Sequence, residues 1–339
     1  MPRADGRVGF GVIGANWGRG RATDIQAIPE AYLAAVSSRS EARARAAGEE
    51  LGVAWHTDYR ELLRRDDVDV VAIYTPNVSH LEIIEAAAEA GKHVLTTKPL
   101  EITVERVDAA IRACERAGVK LGVEYMARYA DDTYFGYRAI ADGRIGRPVV
   151  GEFSYKCYRP QAYYTGTRGT WAVDGGGAMM LQAIHTIDVM LWYMGDARSV
   201  VAEWGALTHE IETEDTALAL VTFQSGAMAT LVGTTSFHTD RPGDQYGSGA
   251  LTRLEVGGTE GAIVVADGAL AMAKLADGST LAPVERPAAN AFQDFARWVR
   301  DDAYASPTLV KAPDGRRSIE LIEAIYRSAR SGERVVLNA

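Results

Sequence analysis

Residues 8–20, VGFGVIGANWGRG, decide the fold. Val8–Ile13 is a short apolar strand with small glycines at 9 and 11, and Gly14-Ala-Asn-Trp-Gly18-Arg-Gly20 follows before a segment able to form a helix. Strand, tight glycine turn and helix together let backbone N–H groups and the positive end of a helix approach a pyrophosphate. A strict GxGxxG would place glycine at 16 and 19, where this chain has Asn16 and Arg19. Asparagine tolerates left-handed backbone angles better than most residues, so Asn16 is a mild change. Gly14, Asn16 and Trp17 are therefore the turn residues expected at a dinucleotide.

The next strand, Tyr32–Ser37, ends at Ser38-Arg39, where a dinucleotide fold selects its cofactor. A carboxylate there would bind ribose hydroxyls, whereas a serine and an arginine suit a 2′-phosphate, so NADP(H) is expected in preference to NAD(H). The alternative is that Arg39 only sits before the helix Ser40–Leu51. Alternation continues through a helical 58–65, the strand Val68–Tyr74 and the loop Thr75-Pro76-Asn77-Val78. Ser79 and Glu82 read as a capping box opening a helix to Ala90 that carries His80 in its first turn, either as a cofactor contact or as a structural histidine. The strand His93–Thr97, the helix Thr103–Ala117 and the strand Lys120–Val123 follow. Strands alternating with helices give the α/β class, a parallel sheet covered on both faces.

In VLTTKPL, residues 94–100, Lys98 ends the buried apolar strand and is followed by proline. Ligands bind outside the carboxyl ends of parallel strands, so a lysine at that end can reach both cofactor and substrate; the alternative is a surface lysine. After Arg128 the rhythm changes to a mostly antiparallel, open sheet: Val149–Tyr158, Thr216–Phe223, Met228–Ser236, Leu251–Val256, Ala262–Ala266 and Leu270–Lys274, with turns at Ser225-Gly226 and Asp267-Gly268. Two domains are expected, 1–127 and 128–339. Between the second domain's first strands lie the loop RPQAYYTGTRGTWAVD and, after Gly175-Gly176-Gly177, a helix Ala178–Met194 with His185 and Asp188. His185 can move a proton near neutral pH, and Lys98 can stabilise a developing alkoxide. Tyr163, Tyr164, Arg168 and Trp171 are candidates to line a sugar pocket, with ordinary loop packing as the alternative; Tyr125 and Gln182 complete the expected substrate set.

A net charge of −9 and 47% hydrophobic residues point to a small-molecule partner rather than nucleic acid or membrane. Cys114 and Cys157 form no disulfide framework or thiolate site, no metal motif is present, and no run has the length of a signal or membrane span, so a cytoplasmic protein is expected.

Taken together, VGFGVIGA, DVDVVAIYTPNVSH, AGKHVLTTKPL, AGVKLGVEYMARY, RGTWAVDGGGAMMLQAIHTID and VGGTEGAIVV resemble the glucose-fructose oxidoreductase and inositol dehydrogenase family (Gfo/Idh/MocA) across nearly the whole chain. The resemblance implies a Rossmann domain followed by an α/β domain whose open sheet builds oligomer contacts, as a homodimer or homotetramer. It implies that Lys98 and His185 serve the substrate hydroxyl, that Thr75, Pro76 and Asn77 lie beside the nicotinamide, and that His80 is the recurrent histidine of that loop. Substrates of the family are mostly sugars, sugar acids or cyclitols. The chain departs from the pattern at three places: Thr97 stands where the usual EKP has glutamate, Leu181 where an aspartate or asparagine precedes the histidine by four residues, and GANWGRGRA resembles the loop of cofactor-sensing members. The expected function is NADP(H)-dependent hydride transfer to or from a secondary alcohol or ketone of a sugar or cyclitol; the alternative is a catalytically silent NAD(P)- or sugar-sensing protein.

Overall fold

The computed structural model describes residues 6–243, 246–279 and 284–337. The chain divides into two compact units, Met1–Tyr125 with Pro287–Arg316, and Met126–Arg286 with Arg317–Ala339.

The first unit holds a six-stranded sheet of β1 (Val8–Ile13), β2 (Ala31–Ser37), β3 (Ala54–His56), β4 (Val70–Ile73), β5 (His93–Thr97) and β6 (Leu121–Glu124), ordered β3-β2-β1-β4-β5-β6. Every pairing is parallel. This is the strand order of a dinucleotide-binding fold, reversing direction between β1 and β4. β1 and β4 are buried along their whole length, as a sheet covered on both faces requires. The edge strand β3, three residues long, was not expected from the sequence.

The expected boundary at 127 is corrected by the late segment 287–316, which returns to the first unit. Its helix Ala291–Arg300 buries Phe292 and Phe295 completely. Phe292 meets Phe10 of β1 edge to face, with centroids 5.9 Å apart. A Cβ on Gly122 of β6 would stand 2.9 Å from the Phe295 ring, so the absence of a side chain there makes room for that ring. Val123 donates to Val310 O at 2.9 Å, which satisfies one outer edge group of β6. The expected capping box is also corrected: Ser79 makes no cap bond, and its Oγ instead lies 2.6 Å from Pro76 O and 2.8 Å from Thr75 Oγ1.

The second unit is built on β7 (Pro148–Lys156), β8 (Ala197–Gly205), β9 (Thr216–Phe223), β10 (Met228–Thr234), β11 (Leu251–Gly258), β12 (Ala262–Ala266), β13 (Ala269–Lys274) and β14 (Val335–Val336), ordered β13-β12-β11-β7-β10-β9-β8-β14. Only β7 and β10 pair in parallel. Alternation sets the faces: Ala217, Ala219 and Val221 of β9 are buried, while Leu218 and Leu220 are exposed. On the buried face the helix Ile184–Met194 packs against β7 and β11. The expected single helix 178–194 is two pieces, a π-helical turn Met179–Ala183 followed by that α-helix. β8 and β14 had no counterpart in the sequence reading.

Phe295→Ala removes a fully buried ring and should lower the stability of the first unit by about 3–5 kcal/mol. Denaturant unfolding followed by circular dichroism measures this; a loss under about 1 kcal/mol would show that segment 287–316 is not part of that core.

Candidate active site

In the first unit the strand ends are in register: Ile13 pairs with Ser37 and with Ile73, Ile73 with Thr96, and Thr97 with Glu124. Gly14, Ser38, Tyr74, Lys98 and Tyr125 are therefore the first residues past the strands, all on one edge of the sheet. Gly14 has φ +105°, and a Cβ there would meet Tyr74 O at 2.3 Å, so only glycine turns the chain here. The helix Gly18–Gln26 then begins with no side-chain cap, and Asn16 and Trp17 are exposed beside it. Its first N–H groups are suited to an oxyanion, which fits a dinucleotide pyrophosphate. At the end of β2, Ser40 N–H donates to Ser38 Oγ at 3.4 Å and Arg39 is exposed. No carboxylate occupies 38–40.

Two buried carboxylates fix these loops. Glu124, at the end of β6, accepts from Arg21 Nε at 2.9 Å and from Tyr74 Oη at 2.5 Å, and Arg21 Nη2 also contacts it. The glycine turn's helix is thereby tied to the ends of β4 and β6, and burial beside Glu124 pushes the Tyr74 hydroxyl well above its ordinary pKa. Glu101 accepts from Arg106 Nε and Nη2, each at 2.8 Å, from Leu81 N at 3.0 Å and from Ile102 N at 2.6 Å. This pins the chain just past Lys98, which is half-buried at the end of β5.

His80 belongs to the same framework. It is fully buried, with Nε2 3.1 Å from Thr75 O and Nδ1 3.1 Å from Pro99 O and 3.3 Å from Leu100 O. Burial lowers its pKa, against the charge of Glu101 and the facing carbonyls. The expected cofactor contact is replaced by a clamp between the 75–79 and 99–101 loops, because both ring nitrogens face backbone. Tyr125 is likewise fully buried, so its ring offers a sugar no surface. Thr75 and Asn77 are half-buried and Pro76 is exposed on the loop that His80 holds.

In the second unit, Gly177 approaches Glu214 so closely that a Cβ would lie 1.8 Å from its carbonyl oxygen. The Glu214 carboxylate accepts from Gly177 N and Met179 N, each at 2.8 Å, and from Tyr326 Oη at 3.0 Å, which caps the π-turn. Burial pushes Glu214 up to about 7 against those donors. The π-turn carries Leu181 and Gln182, and half-buried His185 follows on the α-helix. Such turns are frequent at functional sites, and the change of pitch means that residues 181 and 185 are not stacked one regular α-turn apart as the sequence suggested. Gln182 Nε2 donates to Tyr163 Oη at 3.0 Å, bringing two expected substrate residues together. Tyr163 also meets Tyr164 edge to face and lies under Arg168 at 4.3 Å. Trp171 joins a different cluster, with Trp204 and Tyr326, and its indole N–H donates to Glu212 O at 2.9 Å. Asp188 is bound to buried Arg128 at 2.7 and 2.8 Å, so its carboxylate is taken up within the second unit. Among the described residues no group of three or more His, Cys, Asp or Glu is arranged to hold a metal ion, and no helix is long and apolar enough to cross a membrane.

Sequence reasoning missed Arg21, Glu124, Glu101, Arg106 and Glu214, because each acts through a partner that only folding supplies. Comparison with known proteins agrees with the geometry. Residues 8–125 match the oxidoreductase family with an NAD-binding Rossmann fold, and residues 137–264 match the GFO/IDH/MocA C-terminal domain. The chain is 33% identical over 264 residues to 1,5-anhydro-D-fructose reductase of Ensifer adhaerens, covering 76% of this chain and 74% of that protein. It is 27% identical over 335 residues to D-xylose 1-dehydrogenase (NADP(+)) 2 of Haloferax volcanii, covering 97% and 99% respectively. The WlbA dehydrogenase of Bordetella pertussis, solved in complex with NADH and UDP-GlcNAcA, superposes with a TM-score of 0.85 at 27% identity, covering 98% of this chain and 99% of that one. The chain therefore belongs to the Gfo/Idh/MocA family of oxidoreductases, with an NAD-binding Rossmann domain and the family's C-terminal domain.

Proposed function

We propose that this oxidoreductase interconverts a secondary alcohol and a ketone on a sugar, sugar derivative or cyclitol. The observation that carries the reading is the shared edge on which the glycine turn, the 75–79 loop and Lys98 follow paired strand ends. Bound nicotinamide supplies or accepts the hydride. Lys98 polarises or deprotonates the reacting hydroxyl, and His185 relays its proton. Gln182, Tyr163 and Arg168 hold the substrate. The relatives named for anhydrofructose and xylose support a sugar, without selecting one.

The cofactor proposed is NADP(H) in preference to NAD(H). Relatives of both kinds exist, one solved with NADH and one named for NADP(+), so the family alone selects neither. The support lies at the end of β2, where Arg39 is exposed with no acidic neighbour in 38–40 to repel a 2′-phosphate. A homodimer or homotetramer is proposed as well. The outer face of the second unit's sheet sets exposed Met228 beside Val150 and exposed Leu220 beside Val201, an apolar surface that a symmetric partner would cover.

Titration by protein-to-nicotinamide energy transfer should show tighter binding of NADPH than of NADH, with the order reversed in Arg39→Asp; equal affinities in the native chain would contradict the assignment. Light scattering at micromolar concentration should give a multiple of 36.6 kDa, and a monomer would remove the oligomer. Once screening of sugars and inositols at 340 nm finds a substrate, Lys98→Met should abolish turnover while NADPH affinity stays within a few-fold. His185→Ala should slow it by ~10²-fold, the lower end of a general acid–base contribution. Near-native turnover in Lys98→Met would make this mechanism wrong.

A further inference from the structure

Two guanidinium groups in the second unit lie against Tyr163 and form no salt bridge among the described residues. Arg168 Cζ is 4.3 Å from the Tyr163 ring centroid and 6.0 Å from that of Tyr246, and Arg159 Cζ is 5.6 Å from the Tyr163 ring. Half-buried or buried arginines elsewhere are paired: Arg21 with Glu124, Arg106 with Glu101, Arg128 with Asp188 and Arg297 with Glu30. The carboxylate whose charge couples to Arg168 is Asp174, but its Oδ2 accepts the Gly169 N–H at 2.6 Å.

Arg159 is built in rather than draped over the surface. Its N–H donates to Thr235 O at 2.9 Å, and its carbonyl lies 2.7 Å from His209 Nε2. The other nitrogen of His209 is 3.0 Å from Asp215 Oδ2, which also accepts the N–H groups of Leu207, Thr208 and His209. Nη1 of Arg159 donates to Ser248 O at 2.9 Å, while its buried Nε has no acceptor among the described residues. Gln182 is 6% exposed, and its Oε1 is likewise buried without a donor although Nε2 reaches Tyr163 Oη.

Arg159 and Arg168 are half-buried, and taking guanidinium groups partly out of water without a salt bridge carries a cost that a bound oxyanion would offset. A guanidinium presents a planar fork of donors matched to carboxylate and phosphate oxygens. We propose that Arg159 and Arg168, laid against Tyr163 beside Gln182, form a subsite for an oxyanion of the substrate, so that the sugar this enzyme uses carries a carboxylate or a phosphate. The inference rests on reading the 159–174 loop and Gln182 as substrate-binding parts of an oxidoreductase.

The test compares D-glucose, D-glucuronate, D-galacturonate and D-glucose 6-phosphate on the full chain, by NADP reduction at 340 nm and by calorimetric binding in the presence of NADPH. At least one anionic sugar should exceed its neutral counterpart in kcat/KM, and Arg168→Gln and Arg159→Gln should each cut that preference ~10–100-fold, mainly through KM. A uronate preference identifies the carboxylate, and a 6-phosphate preference the phosphate. Turnover of neutral sugars with no anion preference would overturn the subsite and leave the oxidoreductase reading intact. Anion binding lost in both variants, without turnover of any sugar, would uphold the subsite and count against the reading beneath it. No calorimetric binding of any anionic sugar would overturn the inference whatever the activity.

Discussion

Buried carboxylates that accept backbone N–H groups hold the irregular parts of this molecule in place. A strand end leaves the ladder behind it, and the loop that follows has donors and acceptors that burial would otherwise orphan. Glu101 takes the N–H groups of Leu81 and Ile102, Glu214 those of Gly177 and Met179, and Asp215 those of Leu207, Thr208 and His209. Each also binds a side chain: Arg106, Tyr326 and His209 respectively. A carboxylate with several aligned donors offsets much of its own desolvation, and removing it would leave those donors buried and unmet. Rigidity at the candidate residues therefore comes from their neighbours: Lys98 stands before the Glu101 lock, and the turn carrying Gln182 begins at the Glu214 cap.

That arrangement explains what could be read from the sequence. Five of the six parallel strands are local patterns, β3 being too short to show, and the glycine turn, the strand-end lysine and the change of rhythm after Arg128 are visible because period and composition carry them. The loop 159–174 was legible as a substrate candidate by its aromatic and polar character alone. The pairs that fix these parts were not legible. Arg21 and Glu124 stand 103 residues apart, and nothing in either neighbourhood names the other. The return of 287–316 to the first unit depends on Phe292 and Phe295 finding β1 and β6, which an amphipathic helix pattern cannot specify. The π-turn escaped for a related reason: its hydrophobic residues fit an uninterrupted helix, and the altered pitch follows from the Glu214 cap and the close approach at Gly177.

His80 shows how position in sequence and role can separate. Its place in the first turn of a helix beside a strand-end loop suggested contact with a cofactor, yet the ring is buried between the carbonyls of Thr75, Pro99 and Leu100. An imidazole can bridge two segments through opposite ring nitrogens, which hydroxyl and thiol side chains cannot do over that span. It joins the loop expected beside the nicotinamide to the loop that follows Lys98, and so couples the placement of both.

Two of the departures from the family pattern, at 97 and 181, and the end of β2 share the absence of a carboxylate. Thr97 replaces a glutamate, Leu181 replaces an aspartate or asparagine, and Ser38-Arg39 carries no carboxylate where NAD-selective folds place one. The resemblance assigns position 97 to the cofactor's edge and position 181 to the proton relay, and the end of β2 is where a dinucleotide fold meets the ribose. A single charge at about 4 Å is worth about 4 kcal/mol at an effective dielectric constant of 20, enough to decide between ligands that differ by one anionic group. A dinucleotide with an added 2′-phosphate and a sugar with a carboxylate or phosphate would each be penalised by the missing acids and favoured by Arg39, Arg159 and Arg168. The protein is acidic overall, and the places proposed to meet its ligands are not.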